Sequence, residues 1–237
     1  MAKEVLVKAK TIKNRKEFLK TLKIVLLVVL LGLCFIFMIL SILYKGGNFT
    51  ITLDPNMTIE NDIFIYDDLE VKESKKKLTA KKLEFMDNIS IDWLPQDIDT
   101  EANGSHNGEN YIAYTFYIEN AGEESVNYWY SVLIDDVIKR VDEAARVMIY
   151  LNGEKTVYAK LNSFTKKEEE NTKAFYDKNT AVLEQRKNFK KGDVDKFTIV
   201  VWLEGDDPDC IDDIIGGEIK MHMEIREENF DEGKEKA

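Results

Sequence analysis

The pattern of apolar and polar positions divides the chain in two. From Ile24 to Tyr44 a 21-residue apolar run carries no charge, and beyond it short segments alternate apolar and polar residues with a period of two. A helix of that length rises about 30 Å, which matches the hydrocarbon core of a bilayer. The run has no polar face, so packing as the surface helix of a soluble domain is not expected.

The alternating segments predict strands. Ile112, Tyr114, Phe116 and Ile118 alternate with Tyr111, Ala113, Thr115 and Tyr117, and the run closes on Glu119-Asn120-Ala121-Gly122, a turn signal. Val126, Tyr128, Tyr130 and Val132 face one way and Asn127, Trp129, Ser131 and Leu133 the other, which predicts a central strand. Asn152-Gly153, between Arg146–Leu151 and Lys155–Lys160, predicts a hairpin on a type I′ turn. Phe197–Leu203 and Ile219–Ile225 read as half-buried strands with one wet face, and weaker strands are expected at 49–53, 59–66 and 89–93. Two stretches break the pattern: 67–82 is charged, and 165–190 is rich in helix formers and predicts a surface helix or long insertion. The acidic segment 227–237 is expected to fray.

Seven to nine short strands without βαβ alternation predict an all-β fold: an antiparallel Greek-key or jelly-roll-like sandwich with a helical insertion, plus one N-terminal transmembrane helix. No fixed-length repeat points to a solenoid or propeller. The expected domains are a basic cytoplasmic segment (1–23), a signal-anchor helix (24–44) and an extracellular sandwich (45–237).

Charge sets the expected orientation. Residues 1–23 hold eight basic and two acidic residues of the chain's 33 and 44, leaving 25 and 42, a formal −17, for residues 24–237. The positive-inside rule therefore places the first segment in the cytoplasm and the large domain outside. A cleaved signal needs small residues before the cut, which Ser41-Ile42-Leu43-Tyr44 does not supply, and Leu31-Gly32-Leu33-Cys34 lacks the small residue of a lipobox. The acidic domain argues against nucleic-acid binding. Beyond Cys34 only Cys210 remains, so no disulfide forms within the large domain and packing alone must hold it.

Candidate chemistry is sparse. The two histidines, His106 and His222, do not form a His-Glu-x-x-His zinc motif, and no nucleophile elbow supports a hydrolase. The densest acidic cluster, Asp206, Asp207, Asp209, Asp212 and Asp213, is a candidate site for Ca²⁺, although EF-hand spacing fails at Ile211 and Asp212. The competing reading is that Asp207 or Asp209 caps a short helix through Ile211–Ile215. Cys210 sits among carboxylates, surroundings unsuited to a catalytic thiolate.

The strand ending Ile118-Glu119-Asn120-Ala121-Gly122, and the late strand running through Val201-Trp202-Leu203-Glu204-Gly205 into Asp206-Asp207-Pro208-Asp209-Cys210, resemble the camelysin and TasA-type surface proteins of Gram-positive bacteria. The resemblance covers about a third of the domain. It implies a jelly-roll-like sandwich exported to the cell surface, in a family whose members build biofilm fibres by donating a strand to the next subunit. A retained helix departs from that pattern, and the protease activity ascribed to camelysin is not carried over without a zinc motif.

The expected function is that of a non-enzymatic, single-pass, membrane-anchored surface protein acting through protein partners or self-association. Its expected contact segment is an edge strand of Asn48, Phe49, Thr50, Ile51, Thr52, Leu53 and Asp54. The alternatives are a Ca²⁺- or ligand-sensing domain and a processed, secreted fibre subunit.

Overall fold

A computed structural model describes residues 2–43 and 49–227. Two compact units divide it, residues 1–46 and 47–237.

The first unit is one helix, α1 (Ala2–Leu43), within which Phe18–Ile39 is long and apolar enough to cross a membrane. Helix extends back through the basic segment because Lys, Glu, Ala and Leu are good helix formers. Along Phe18–Ile39 the large apolar side chains are exposed.

The second unit is a β-sandwich. In chain order it contains β1 (Thr50–Leu53), the short helix α2 (Pro55–Asn61), β2 (Ile63–Tyr66), β3 (Lys77–Thr79), β4 (Gly104–Ser105), β5 (Tyr111–Asn120), β6 (Val126–Ile138), β7 (Ala145–Leu151), β8 (Glu154–Ala159), β9 (Lys173–Ala174), β10 (Thr180–Phe189), β11 (Val194–Leu203) and β12 (Glu218–Glu227). One sheet has the order β10-β6-β12-β1-β3, the other β2-β5-β11-β7-β8-β9 with β4 beside β5. Pairing is antiparallel except at β1 with β12 and β8 with β9.

Alternation decides which side chains meet between the sheets. Tyr114, Phe116 and Ile118 of β5, Tyr128, Tyr130 and Val132 of β6, Phe197 and Ile199 of β11, and Met223 and Ile225 of β12 share the main core. Phe197 stacks on Phe116 at 5.3 Å and meets Tyr130 edge-on at 5.1 Å, so both sheets grip the same ring. The Asn152-Gly153 hairpin joins β7 to β8 as expected, with φ of +54° and +85° at the two turn residues. Asn152 also ties the turn to β11, donating to Asp195 and accepting from the Lys196 N–H, each at 2.8 Å. β6 is central, between β10 and β12.

Several expectations are corrected. Residues 173–174 and 180–189 are strands, and no helix lies within 165–190: the Val182 and Phe189 side chains are buried in the core, which fixes β10 against β6 despite its helix-forming composition. The segment 59–66 is a strand only from Ile63, because Asp54 accepts from the Asn56 N–H and starts α2, with a proline at its first turn. Ile89 makes a single bridge to Glu204, and Ile91–Trp93 is a 3-10 helix. β11 has no wet face. Val200 and Trp202 are buried in a second core with Met148, Val157, Ile89, Leu94 and Ile98, because the segment from Ile89 to Ile98 lies over the outer side of the sheet.

The expected edge strand is also not an edge. β1 pairs with β12 on one side and β3 on the other, so its backbone groups are already occupied. Phe49, Ile51 and Leu53 are buried, Asp54 starts α2, and Asn48 lies outside the described residues. Residues 228–237, most of the segment expected to fray, also lie outside them.

Candidate functional site

Polar chemistry concentrates where three loops meet at one end of the sandwich. β7 begins at this end, and its Arg146 is 4% exposed. A buried guanidinium needs a partner, and its Nη2 donates to Asp207 Oδ2 at 2.5 Å. Asp207 Oδ1 accepts the Asp209 N–H at 2.7 Å, closing the turn that follows Glu204-Gly205-Asp206. Asp209 in turn accepts from the Ser163 N–H at 2.7 Å and from the Ser163 hydroxyl, which pins the 160–172 loop to the 204–213 loop. Asn162 shapes that loop, its Oδ1 accepting from the Phe164 and Thr165 N–H groups at 3.0 and 2.8 Å.

The third carboxylate is Glu169. One ligand oxygen from each of Glu169, Asp207 and Asp209 lies within 4.8 Å of the others, and Glu169 Oε1 is buried without a hydrogen-bond partner. The expected five-aspartate site is therefore split. Asp207 and Asp209 come together, whereas Asp206, Asp212 and Asp213 are exposed. Residues Asp212–Ile214 form a 3-10 helix capped at Ile211 by no side chain, so neither Asp207 nor Asp209 caps it. The donor set is entirely oxygen, which suits a hard cation such as Ca²⁺ and not Zn²⁺. Glu169 was missed because it lies in another loop, and no spacing in the acidic run points to it.

Neighbouring groups complete the end. Glu204 is buried and accepts from the Trp202 indole N–H at 3.0 Å and the Ile91 N–H at 3.1 Å, so the resemblance motif Trp202-Leu203-Glu204 serves to hold the covering segment. Cys210 Sγ accepts from the Asn88 amide at 3.0 Å. Lys160 contacts Asp142 and lies 3.2 Å from Glu143; burial alone lowers its pKa, but these two carboxylates raise it above the ordinary lysine value.

The histidines differ. His222 is half-exposed on β12, with Nδ1 2.9 Å from Asp135 and Nε2 3.2 Å from Glu224. The His106 side chain is 5% exposed: its Nε2 lies 3.0 Å from Thr115 Oγ1, which lies 2.7 Å from Thr198 Oγ1, and its Nδ1 is 3.6 Å from Glu101. Burial lowers its pKa, against the opposing pull of Glu101. The Thr115 and Thr198 hydroxyls are sealed between strands, so this row does not present a nucleophile to a substrate.

No family model matches the chain, and no curated protein matches it. Among solved structures, it is similar to a β-glucosidase from Kluyveromyces marxianus in complex with glucose, at 15% identity and a TM-score of 0.27 over 70% of this chain and 16% of that one. A selenomethionine-labelled form of the same enzyme gives 15% identity and a TM-score of 0.23 over 68% and 16%. The chain thus spans about a sixth of that enzyme's length. At such scores neither the sugar nor the hydrolysis carries over.

Proposed function

We propose that the chain is a single-pass membrane protein whose acidic β-sandwich stands outside the cell and acts through protein contacts rather than chemistry, as an envelope or matrix component. The observation that carries this reading is the exposed apolar span Phe18–Ile39, preceded by a basic segment and joined through residues 44–48 to the sandwich that begins at Phe49. The resemblance to camelysin and TasA-type proteins favours the same setting. Strand donation by β1 is not part of the proposal, since β12 and β3 occupy both its sides. The free edge β10 is guarded too, with irregular pairing at both ends and Lys187 exposed on it.

The test is the fate of the full chain in cells. Full-length mass in an alkali-washed membrane fraction supports the anchored form. A released species beginning at 44–48 favours the processed fibre subunit instead.

A second reading is favoured by Glu169. Its buried, unpartnered oxygen beside Asp207 and Asp209 suits a divalent cation that staples the 160–172 loop to the 204–213 loop. Arg146 supplies the one positive charge in contact with Asp207 among the described residues, and a cation would balance the other two carboxylates.

A further inference from the structure

Lys160 faces two carboxylates at once, and we infer that its amine and the Asp142 carboxyl condense after folding into an intramolecular amide, with Glu143 carrying the proton. The product is a covalent staple in a domain whose one cysteine, Cys210, is free.

The three groups arrive from two short stretches of chain. Lys139 and Arg140 take positive φ, +58° and +55°, which turns the chain at the end of β6 into the 3-10 turn Val141–Glu143. That turn packs against β6, β7 and β12, and its Val141 and Asp142 are buried. Lys160 follows β8, whose last residue, Ala159, pairs with Arg146 of β7. The β7–β8 hairpin therefore brings the turn before β7 beside the residue after β8. There Lys160 Nζ contacts Asp142 Oδ2 and lies 3.2 Å from Glu143 Oε1.

Exposure separates this cluster from an ordinary surface ion pair. The Asp142 side chain is 8% exposed, Glu143 15% and Lys160 26%, whereas in the Lys191–Glu123 pair the values are 56% and 85%. Withdrawing an ammonium and a carboxylate from water is costly even when they pair. Condensation replaces both with a neutral amide, and Glu143 keeps Arg140, 3.2 Å away, as its counter-charge.

The step balances without a co-reactant. Burial lowers the Lys160 pKa and the carboxylates raise it by more, so the amine starts as an ammonium, and its proton first passes along the hydrogen bond to Asp142. The neutral Nζ then attacks Asp142 Cγ and the C–N bond forms. Glu143 takes a proton from the nitrogen and returns it to the Asp142 hydroxyl, which leaves with the C–O bonding pair as water. Ammonium and carboxylate have become amide and water, and Glu143 ends as it began. Groups held in contact react as if present at about 10⁵ M or more, far above the concentration of bulk water, which favours the bond over its hydrolysis.

The test is intact mass and tryptic mapping of the full chain, purified from cells in detergent. The mass is expected to fall below that of the sequence by about 18 Da, one water. Trypsin should release residues 141–146 joined to residues 156–166, a branched peptide left uncut after Lys160 because its amine is blocked. Lys160→Arg, which keeps the charge but cannot condense, should restore the full mass and separate the two peptides. Glu143→Gln, isolated as a chain that still melts cooperatively, should also keep the full mass. Full mass in the parent, with 141–146 and 156–160 recovered as separate peptides, overturns the bond. A branched peptide that persists in Glu143→Gln overturns the proton-carrying role of Glu143 while the bond stands.

Discussion

Arg146 and Asp207 form a 2.5 Å ion pair in which the side chains are 5% and 1% exposed, and it fixes the acidic loop to the start of β7. The pair lies between the second core and the loop end, so its loss affects packing and surface together. Arg146→Met leaves the Asp207 carboxylate buried and unpaired, at an expected cost of about 3–5 kcal/mol in denaturant unfolding. Adding Asp207→Asn to Arg146→Met should recover part of that loss, because a neutral amide no longer leaves a buried charge. Equal stability of the single variant and the parent would show that the pair contributes nothing.

The turn between β5 and β6 makes a separate prediction. A Cβ on Gly122 would lie 2.3 Å from the Asn61 carbonyl oxygen, and the Gly122 N–H donates to Asn120, which is fully buried. The obstacle is backbone, which cannot rotate aside, so Gly122→Ala should destabilise the sandwich by about 1–3 kcal/mol. Gly153→Ala, where a Cβ meets no neighbour but φ is +85°, should cost about 1 kcal/mol. A thermal melt of the two variants checks the order.

His106 makes stability depend on pH. Its folded pKa is depressed from 6.5, first by burial and also by Lys196, with Glu101 and Asp99 opposing. The unfolded chain therefore binds this proton more readily than the folded one. The stabilisation is present above about 6.5 and is lost as pH falls through the folded value. The melting temperature should decline on acidification over this window, and His106→Gln should flatten that part of the curve. A decline of the same size in the variant would assign it to other groups.

The cation reading predicts a Ca²⁺-dependent rise in melting temperature. With Ca²⁺ at about a hundred times its dissociation constant the gain is about 2.7 kcal/mol. Glu169→Gln should abolish the shift, and Asp206→Asn, on an exposed side chain outside the group, should not. No shift in the parent chain would leave the three carboxylates as loop-organising hydrogen-bond acceptors.

Most of the sandwich was legible because its long strands obey simple alternation. β5, β6 and β12 bury one row of residues against the facing sheet, and the Asn152-Gly153 turn declares its own geometry. β10 was not legible. Its residues from Glu184 to Lys187 read as helix formers, and irregular pairing at Thr180–Val182 and Arg186–Phe189 breaks the period of two. β3 is three residues beside a lysine run, too short to signal a strand, and it is this strand that removes β1 from the sheet edge. The covered face of β11 was hidden because nothing local in Thr198, Val200 and Trp202 announces that the segment from Ile89 to Ile98 will lie over them. In the site, the acidic run marked Asp207 and Asp209, but Arg146, Ser163 and Glu169 arrive through tertiary folding from other strands and loops.

The central claim is that α1 crosses a membrane and the sandwich stands outside. The most direct measurement is digestion of intact cells expressing the chain with a tag after Ala237, compared with cells opened by detergent. Loss of the tag and the sandwich in intact cells, with a membrane-bound fragment containing residues 1–23 protected, is the result expected. A tag that survives in intact cells and is cut only after detergent would contradict it.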